Sequence, residues 1–218
     1  MEMTHTGELL IRAREITKGF GGGRVLDGVD IELRGGELVA VQGPSGCGKT
    51  TLLNILGLLD NPDSGEIEVV GTAAPKAGTS TASKVIREHI SYLFQSFALV
   101  ESLTVEENNM MALRYVRMPK ASKRALVAKA LRRVGLEECR AKKISELSGG
   151  EQQRVALARA MVKPGEIILA DEPTGSLDPK NRDLVVGIMR RMADVGKGVL
   201  VVTHDDHVAR RCDRIIQL

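Results

Sequence analysis

Tryptophan is absent from the 218 residues, and the aromatic rings are limited to Phe20, Phe94, Phe97, Tyr92 and Tyr115. So small a supply argues against single-strand nucleic-acid binding, which uses rings as stacking platforms. The core must be built from Leu, Ile, Val, Ala and Met. Cysteine is scarce too. Cys47, Cys139 and Cys212 are odd in number and have no C-x-x-C spacing, which indicates neither a zinc site nor a disulfide framework and suits a reducing compartment. Long apolar runs are missing: stretches such as Leu52 to Leu59 are interrupted and far short of the roughly 20 residues that cross a bilayer. The segment Met1 to Glu8 is acidic and polar without an apolar h-region, so it is no signal peptide. Any membrane role therefore has to come through a partner. A net charge of +3 is too small to argue for nucleic acid.

What is present is a chain that can fold. Hydrophobic residues make up 43%, enough for a substantial core. Leu9 to Ile16 and Gly28 to Leu33 alternate as half-buried strands do, with a turn at Gly21-Gly22-Gly23 between them. Arg34 to Gly36 and Asp60 to Gly65 are further turns, the second followed by the strand Glu66 to Val70. These short turns predict an antiparallel β layer. Thr72 to Ser83 reads as a surface loop, Val85 to His89 as a short helix and His89 to Phe94 as a strand. Helices are predicted over Thr104 to Val116, where Thr104 and Glu107 match a capping box, and over Ser122 to Val134, with Leu126, Ala130, Leu131 and Val134 on one side. The second carries a crowd of basic residues, read as a solvated face or, more sharply, as a docking surface or one for anionic lipid. Gly149 to Val162 is a helix with Ser148 as its N-cap. Then follow a strand Ile167 to Ala170, a helix Asp183 to Val195, a strand Val199 to Thr203, a helix Asp206 to Cys212 and a last strand Arg214 to Leu218. Strands alternating with helices predict an α/β fold with a mostly parallel sheet.

One stretch organises the rest. Gly43-Pro-Ser-Gly-Cys-Gly-Lys49-Thr50 satisfies G-x-x-x-x-G-K-[ST] at every constrained position. It lies between the apolar strand Glu37 to Val41 and the helical stretch Thr51 to Gly57. Glycines let successive N–H groups turn inward around phosphate oxygens, and the helix N-terminus adds its positive dipole end. Lys49 would neutralise β- and γ-phosphates, and the Thr50 hydroxyl would ligate Mg²⁺. Gly43, Ser45, Gly46, Cys47, Gly48, Lys49, Thr50 and Thr51 are thus the candidate nucleotide contacts, Cys47 needing only to be small. Further on, Asp171-Glu172 ends a short apolar strand, placing two carboxylates at the sheet edge where ligands bind. Asp171 suits the Mg²⁺ shell and Glu172 is placed to polarise an attacking water.

Leu147-Ser148-Gly149-Gly150-Glu151-Gln152-Gln153-Arg154 resembles the signature motif of ATP-binding-cassette (ABC) ATPases, and other elements of that family follow in order over nearly the whole chain. The resemblance implies a P-loop NTPase fold with a RecA-like core, in one domain over 1–218. Residues 1–96 and 159–218 would form the core with its β layer, and 97–158 an inserted helical lobe. It implies that Phe20 is the A-loop aromatic that stacks on adenine. Gln95 would be the Q-loop glutamine near Mg²⁺ and the attacking water, Ser176-Leu177-Asp178 the D-loop, and His204 the switch histidine on the γ-phosphate. It implies ATP and Mg²⁺ as cofactors, and two copies pairing head to tail so that Ser148, Gly149 and Gly150 of one cover the γ-phosphate bound by the other. It implies an integral-membrane permease as partner, no nucleic acid, and a cytoplasmic location on the inner face of the cell membrane.

Gly57 to Asp60, Pro62 to Gly65, Phe94 to Phe97 and Leu147 to Arg154 are similar to ATPases of the lipoprotein-release and macrolide-exporter branch, and Tyr92 to Leu99, Thr104 to Asn108 and Asn181 to Asp183 resemble, more narrowly, lactococcin-type bacteriocin exporters. Export or extraction of a peptide, lipoprotein or amphiphilic drug is the expectation. A regulatory cassette on a membrane protein that moves nothing is the alternative, and a soluble cassette acting on DNA or ribosomes is disfavoured because no coiled-coil insertion or second cassette is visible. Two departures stand out: Thr72 to Ser83 is less charged than the usual stretch, and the family pattern commonly runs past the position of Leu218 into a further strand.

Overall fold

The computed structural model describes residues 6–21, 23–175 and 177–218. Two sheets organise them. In the first, β1 (Leu9–Phe20) pairs antiparallel with β2 (Gly23–Arg34) and with β4 (Ser64–Val69), and β4 carries the short β5 (Thr72–Ala73). In the second, β3 (Leu38–Gln42), β6 (Ile90–Leu93), β7 (Ile167–Asp171), β8 (Gly198–Val202) and β9 (Arg214–Gln217) lie parallel in the order β6-β7-β8-β3-β9. The central strands are buried on both faces, which is why they read as continuous apolar runs rather than alternating ones.

The pleat sorts these side chains into two cores. Val39, Val41, Leu169 and Leu200 point toward the antiparallel sheet and sandwich α1 (Lys49–Leu56), whose Leu52, Leu53, Ile55 and Leu56 are buried there. Leu38, Ala40, Ile168 and Val201 point the other way, onto α5 (Gly149–Val162) and α6 (Pro179–Asp194). α5 also packs against α3 (Val105–Ala112) and α4 (Lys120–Arg133), so one helix joins the parallel sheet to the helical layer beyond it. α2 (Ser80–His89) precedes β6, and α7 (Asp206–Ala209) precedes β9.

Several boundaries differ from the sequence expectation, each for a local reason. The stretch read as a loop from Thr72 to Ser83 contains β5 and the first turn of α2, because the Thr79 hydroxyl accepts from the Ala82 N–H and caps the helix six residues ahead of Val85. α6 begins at Pro179 rather than Asp183: the Asp178 carboxylate accepts from the Lys180 and Asn181 N–H groups, with proline at the first helical position. α3 ends at Ala112 instead of Val116, and α7 at Ala209 instead of Cys212. In α4 the buried stripe is Val127, Ala130 and Leu131, continued by Val134, while Leu126 is 40% exposed. Both leucine and valine fit a helical period with Ala130, and packing against α5 selects the valine. The Thr104–Glu107 capping box and the Ser148 cap form as expected.

Candidate nucleotide-binding site

β3 delivers the glycine-rich loop and α1 receives it. Gly46 and Gly48 have φ of +82° and +98°. A Cβ on Gly48 would lie 2.7 Å from Val25 Cγ1 and 2.9 Å from Val25 O, so the loop rests against β2 where no larger residue fits. Gly43 is closed in by Cys47 Sγ and by the Leu218 carbonyl, which explains the small residue at 47. Lys49 arches back over the loop, its Nζ donating to the carbonyls of Gly43 at 2.9 Å and Pro44 at 2.8 Å. α1 starts without a capping side chain or an acid in its first turn, unlike α3 and α5. Its first N–H groups are therefore left for an anion.

The strand ends beside this loop supply the oxygens. Thr50 Oγ1 donates to Asp171 Oδ2 at 3.0 Å. Burial pushes the Asp171 carboxyl above its ordinary value, the Thr50 hydrogen bond opposes that, and the neighbouring Glu172 adds to it. Glu172 continues from β7 with a left-handed backbone, φ +44°, which turns its side chain off the strand line. Its Oε1 meets His204 Nδ1 at 2.8 Å, the glutamate side chain 15% exposed and the histidine 71%. Its Oε2 is buried and finds no hydrogen-bond partner among the described residues. His204 follows β8, between β7 and β3 in the sheet, and so stands between the two halves of the site.

Thr50 and Asp171 present oxygen donors to one spot, with Gln95 in the turn after β6 lining the same cleft. No group of three or more His, Cys, Asp or Glu that could enclose a metal exists among the described residues. That donor set fits Mg²⁺, which keeps several waters and binds through one or two carboxylates plus substrate phosphates.

The cleft, about 420 Å³, gathers Phe20, Ser45, Gly46, Gly48, Lys49, Thr50 and Thr51 with Gln95, Asp171 and Glu172, and Val25 and Val202 complete its wall. Phe20, at the end of β1, is 56% exposed, with Lys18 Nζ 5.4 Å from its ring centre. An exposed ring at a cleft mouth has a face to offer a base, which a core phenylalanine would not.

Ser148, Gly149 and Gly150 line no part of this cleft. They open α5 through a reciprocal capping box: the Ser148 hydroxyl accepts from the Glu151 N–H, and the Glu151 carboxylate accepts from Ser148 N at 2.8 Å and Ser148 Oγ at 2.7 Å. Those hydrogen bonds hold the Glu151 carboxyl below the usual range. Of the D-loop expectation, Ser176 lies outside the described residues, and Asp178 serves as the cap of α6, also bound to the Asn181 side chain.

Sequence reasoning missed the residues that fasten these pieces together. Gln153 Nε2 donates to Pro173 O, Arg154 to Asn181 Oδ1, and Arg159 to the Phe97 and Ala98 carbonyls. A signal existed for Gln153, which falls in helical phase with Ala156, Leu157 and Ala160: a polar residue on a buried stripe needs a partner.

Comparison with known proteins agrees with this geometry. A family model described as ABC transporter matches residues 26–175. A macrolide export ATP-binding/permease protein of Paracoccus denitrificans is 40% identical over 99% of this chain and 33% of its own length. A pyoverdine export ATP-binding/permease protein of Pseudomonas fluorescens is 41% identical over 96% of this chain and 33% of its own. The chain thus spans about a third of the length of these curated relatives. The dimeric structure of MJ0796, a bacterial ABC transporter cassette, superposes with a TM-score of 0.88 at 37% identity, covering 96% of this chain and 94% of that one. A dimeric post-hydrolysis state of MJ0796 bound to ADP and Pi gives 0.87 at 36% identity over the same shares. A family model that takes in the phosphate loop and runs past Glu172, joined to a solved cassette alike over nearly its full length, places this chain in the ABC transporter family as an ATP-binding ATPase domain.

Proposed function

We propose that the chain is the ATP-hydrolysing subunit of a membrane export complex, in which two copies pair around two ATP molecules and drive a separate permease. The observation that carries this reading is the pairing of Glu172 with His204 at 2.8 Å beside the Thr50–Asp171 contact, in a cleft that lacks Ser148, Gly149 and Gly150. One copy would supply the phosphate loop and the acids. The other would bring the α5 N-terminus, with Ser148 and Gly150 acting in trans. Asp178, capping the nearby α6, would meet the partner's nucleotide edge.

Within the cleft, Lys49 would turn from the loop carbonyls to the phosphates, and Phe20 would stack on adenine. Mg²⁺ held by Thr50, Asp171 and Gln95 would neutralise charge on the phosphate oxygens. Glu172 would accept the proton of the attacking water, oriented by His204, whose ring remains exposed toward the γ-phosphate.

A permease partner is supported in two ways. The relatives named above are export ATP-binding/permease proteins three times this length. A groove lined by Leu103, Met110, Met111 and Met118, with Glu107, Arg114, Lys120 and Lys123 around them, offers an apolar docking face. Among the described residues no helix is long and apolar enough to cross a membrane, so the proposed place is peripheral, on the inner face. The proposed cargo is a peptide such as a bacteriocin, a lipoprotein or an amphiphilic drug, selected by the permease.

The test is Glu172→Gln. Expected is unchanged ATP binding, an ATP-dependent dimer that accumulates on size-exclusion chromatography, and turnover lowered by about 10²–10⁴. Hydrolysis near the unaltered rate would sink the mechanism.

A further inference from the structure

α5 does more than present Ser148, Gly149 and Gly150. Three residues into the helix beyond Gly150, Gln153 is fully buried, and its Nε2 donates to Pro173 O at 2.6 Å. Proline has no N–H, so the carbonyl is the polar handle that Pro173 offers, and Gln153 takes it. Pro173 follows Glu172, whose left-handed backbone opens a turn closed by Gly175 N donating to Glu172 O at 3.2 Å. A non-glycine residue keeps such a backbone only where its surroundings hold it.

We propose that Gln153 is a positioning residue for Glu172, fixing the turn that aims the carboxylate and coupling it to the signature segment of its own chain. The inference rests on the proposed base role of Glu172. Two more α5 contacts point the same way. Arg154 Nη1 donates to Asn181 Oδ1 at 2.6 Å, and Asn181 in turn binds Asp178. Arg159 donates to the carbonyls of Phe97, at 2.8 Å, and Ala98, both left-handed and just beyond Gln95. A single helix with a fixed rise of about 1.5 Å per residue therefore fastens the loops of Glu172, Asp178 and Gln95. When the partner's nucleotide engages Ser148 and Gly150, the same rigid body shifts the tether on Pro173. The glutamate is brought to its working position only in the closed dimer.

Three buried polar atoms lie around the tether, on its two sides. Gln153 Oε1, Glu172 Oε2 and Thr174 Oγ1 are all buried without hydrogen-bond partners among the described residues. Buried polar atoms are paired in most folded states, so the one on α5 and the two on the turn leave hydrogen-bonding capacity for a new partner.

The experiment uses the whole chain with MgATP and two variants lacking the donor: Gln153→Met, which keeps volume, and Gln153→Leu, which keeps an apolar side chain of similar size. Turnover is counted per bound nucleotide, so loss of folded protein does not enter. Expected is a kcat lowered about ten- to a hundredfold in both, with KM and nucleotide Kd within about twofold. On the Glu172→Gln background the ATP-dependent dimer should persist. Wild-type kcat in either variant, or Kd and kcat weakening together, overturns the inference. Glu172→Gln separates the two ideas. If it still turns over, the base reading fails. If it is inactive while Gln153→Met is normal, only the coupling fails.

Discussion

The two left-handed glycines of the phosphate loop make an internal control for how that loop is held. Gly46→Ala and Gly48→Ala both force a β-carbon into a left-handed backbone, which costs about 1–2 kcal/mol. At Gly46 nothing lies within 4 Å of the new methyl group, so that is the whole effect. At Gly48 the methyl group meets Val25 O at 2.9 Å and Val25 Cγ1 at 2.7 Å. The valine side chain can rotate, but the carbonyl is main chain of β2, held between Arg24 and Leu26, which pair with Gly19 and Lys18 of β1. Overpacking of this kind adds about 1–3 kcal/mol. Gly48→Ala should therefore be less stable than Gly46→Ala by about 2 kcal/mol, out of a total of roughly 5–15 kcal/mol. Urea unfolding followed by circular dichroism reads the difference, since no tryptophan is present to report by fluorescence. Equal midpoints for the two variants would refute the claim that β2 braces the loop.

Tyr92→Phe should raise stability by about 1 kcal/mol, because the hydroxyl is buried, finds no partner among the described residues, and has its ionisation pushed up by burial; a lower melting temperature would mean the hydroxyl is bonded after all. Thr104→Ala removes the Glu107 capping box and should cost about 1 kcal/mol in a thermal melt while leaving ATP binding unchanged. Burial lowers Lys197 and Lys163 to about 8 from 10.5. The unfolded chain therefore holds more protons than the folded one between those values, and stability gains from both lysines as pH rises from about 8 toward 10.5. Denaturation at pH 7.5 and 9.5 should show that gain reduced in Lys197→Met; an unchanged gain would show that Lys197 is solvated.

The parts of the molecule that the sequence made legible are those specified by short-range chemistry. The phosphate loop, the apolar strands and the caps at Thr104 and Ser148 each lie within about eight residues, and their residue types have few other uses there. The early start of α6 is also local, since Asp178-Pro179 is a cap followed by a first-turn proline, although Asp178 belongs to the D-loop pattern as well. What could not be read is the tertiary choice between equivalents. Leu126 and Val127 both suit a helical stripe, and only the shape of α5 decides. The contacts of Gln153, Arg154 and Arg159 join residues 20 to 62 positions apart, and no periodicity encodes them.

The order of the parallel sheet has a consequence for how the protein is made. β3, which carries the phosphate loop, pairs with β8 and β9, and these comprise residues 198–202 and 214–217. A nascent chain with β3 and α1 already outside the ribosome exposes two unpaired edges of an apolar strand until some 160 further residues have been translated. Contacts this distant in sequence form slowly. The antiparallel β1–β2 ribbon, complete much earlier, is then the natural cover for α1 in the interval, and a trigger-factor-like holdase should find its preferred target in residues 38–56 of the half-made chain.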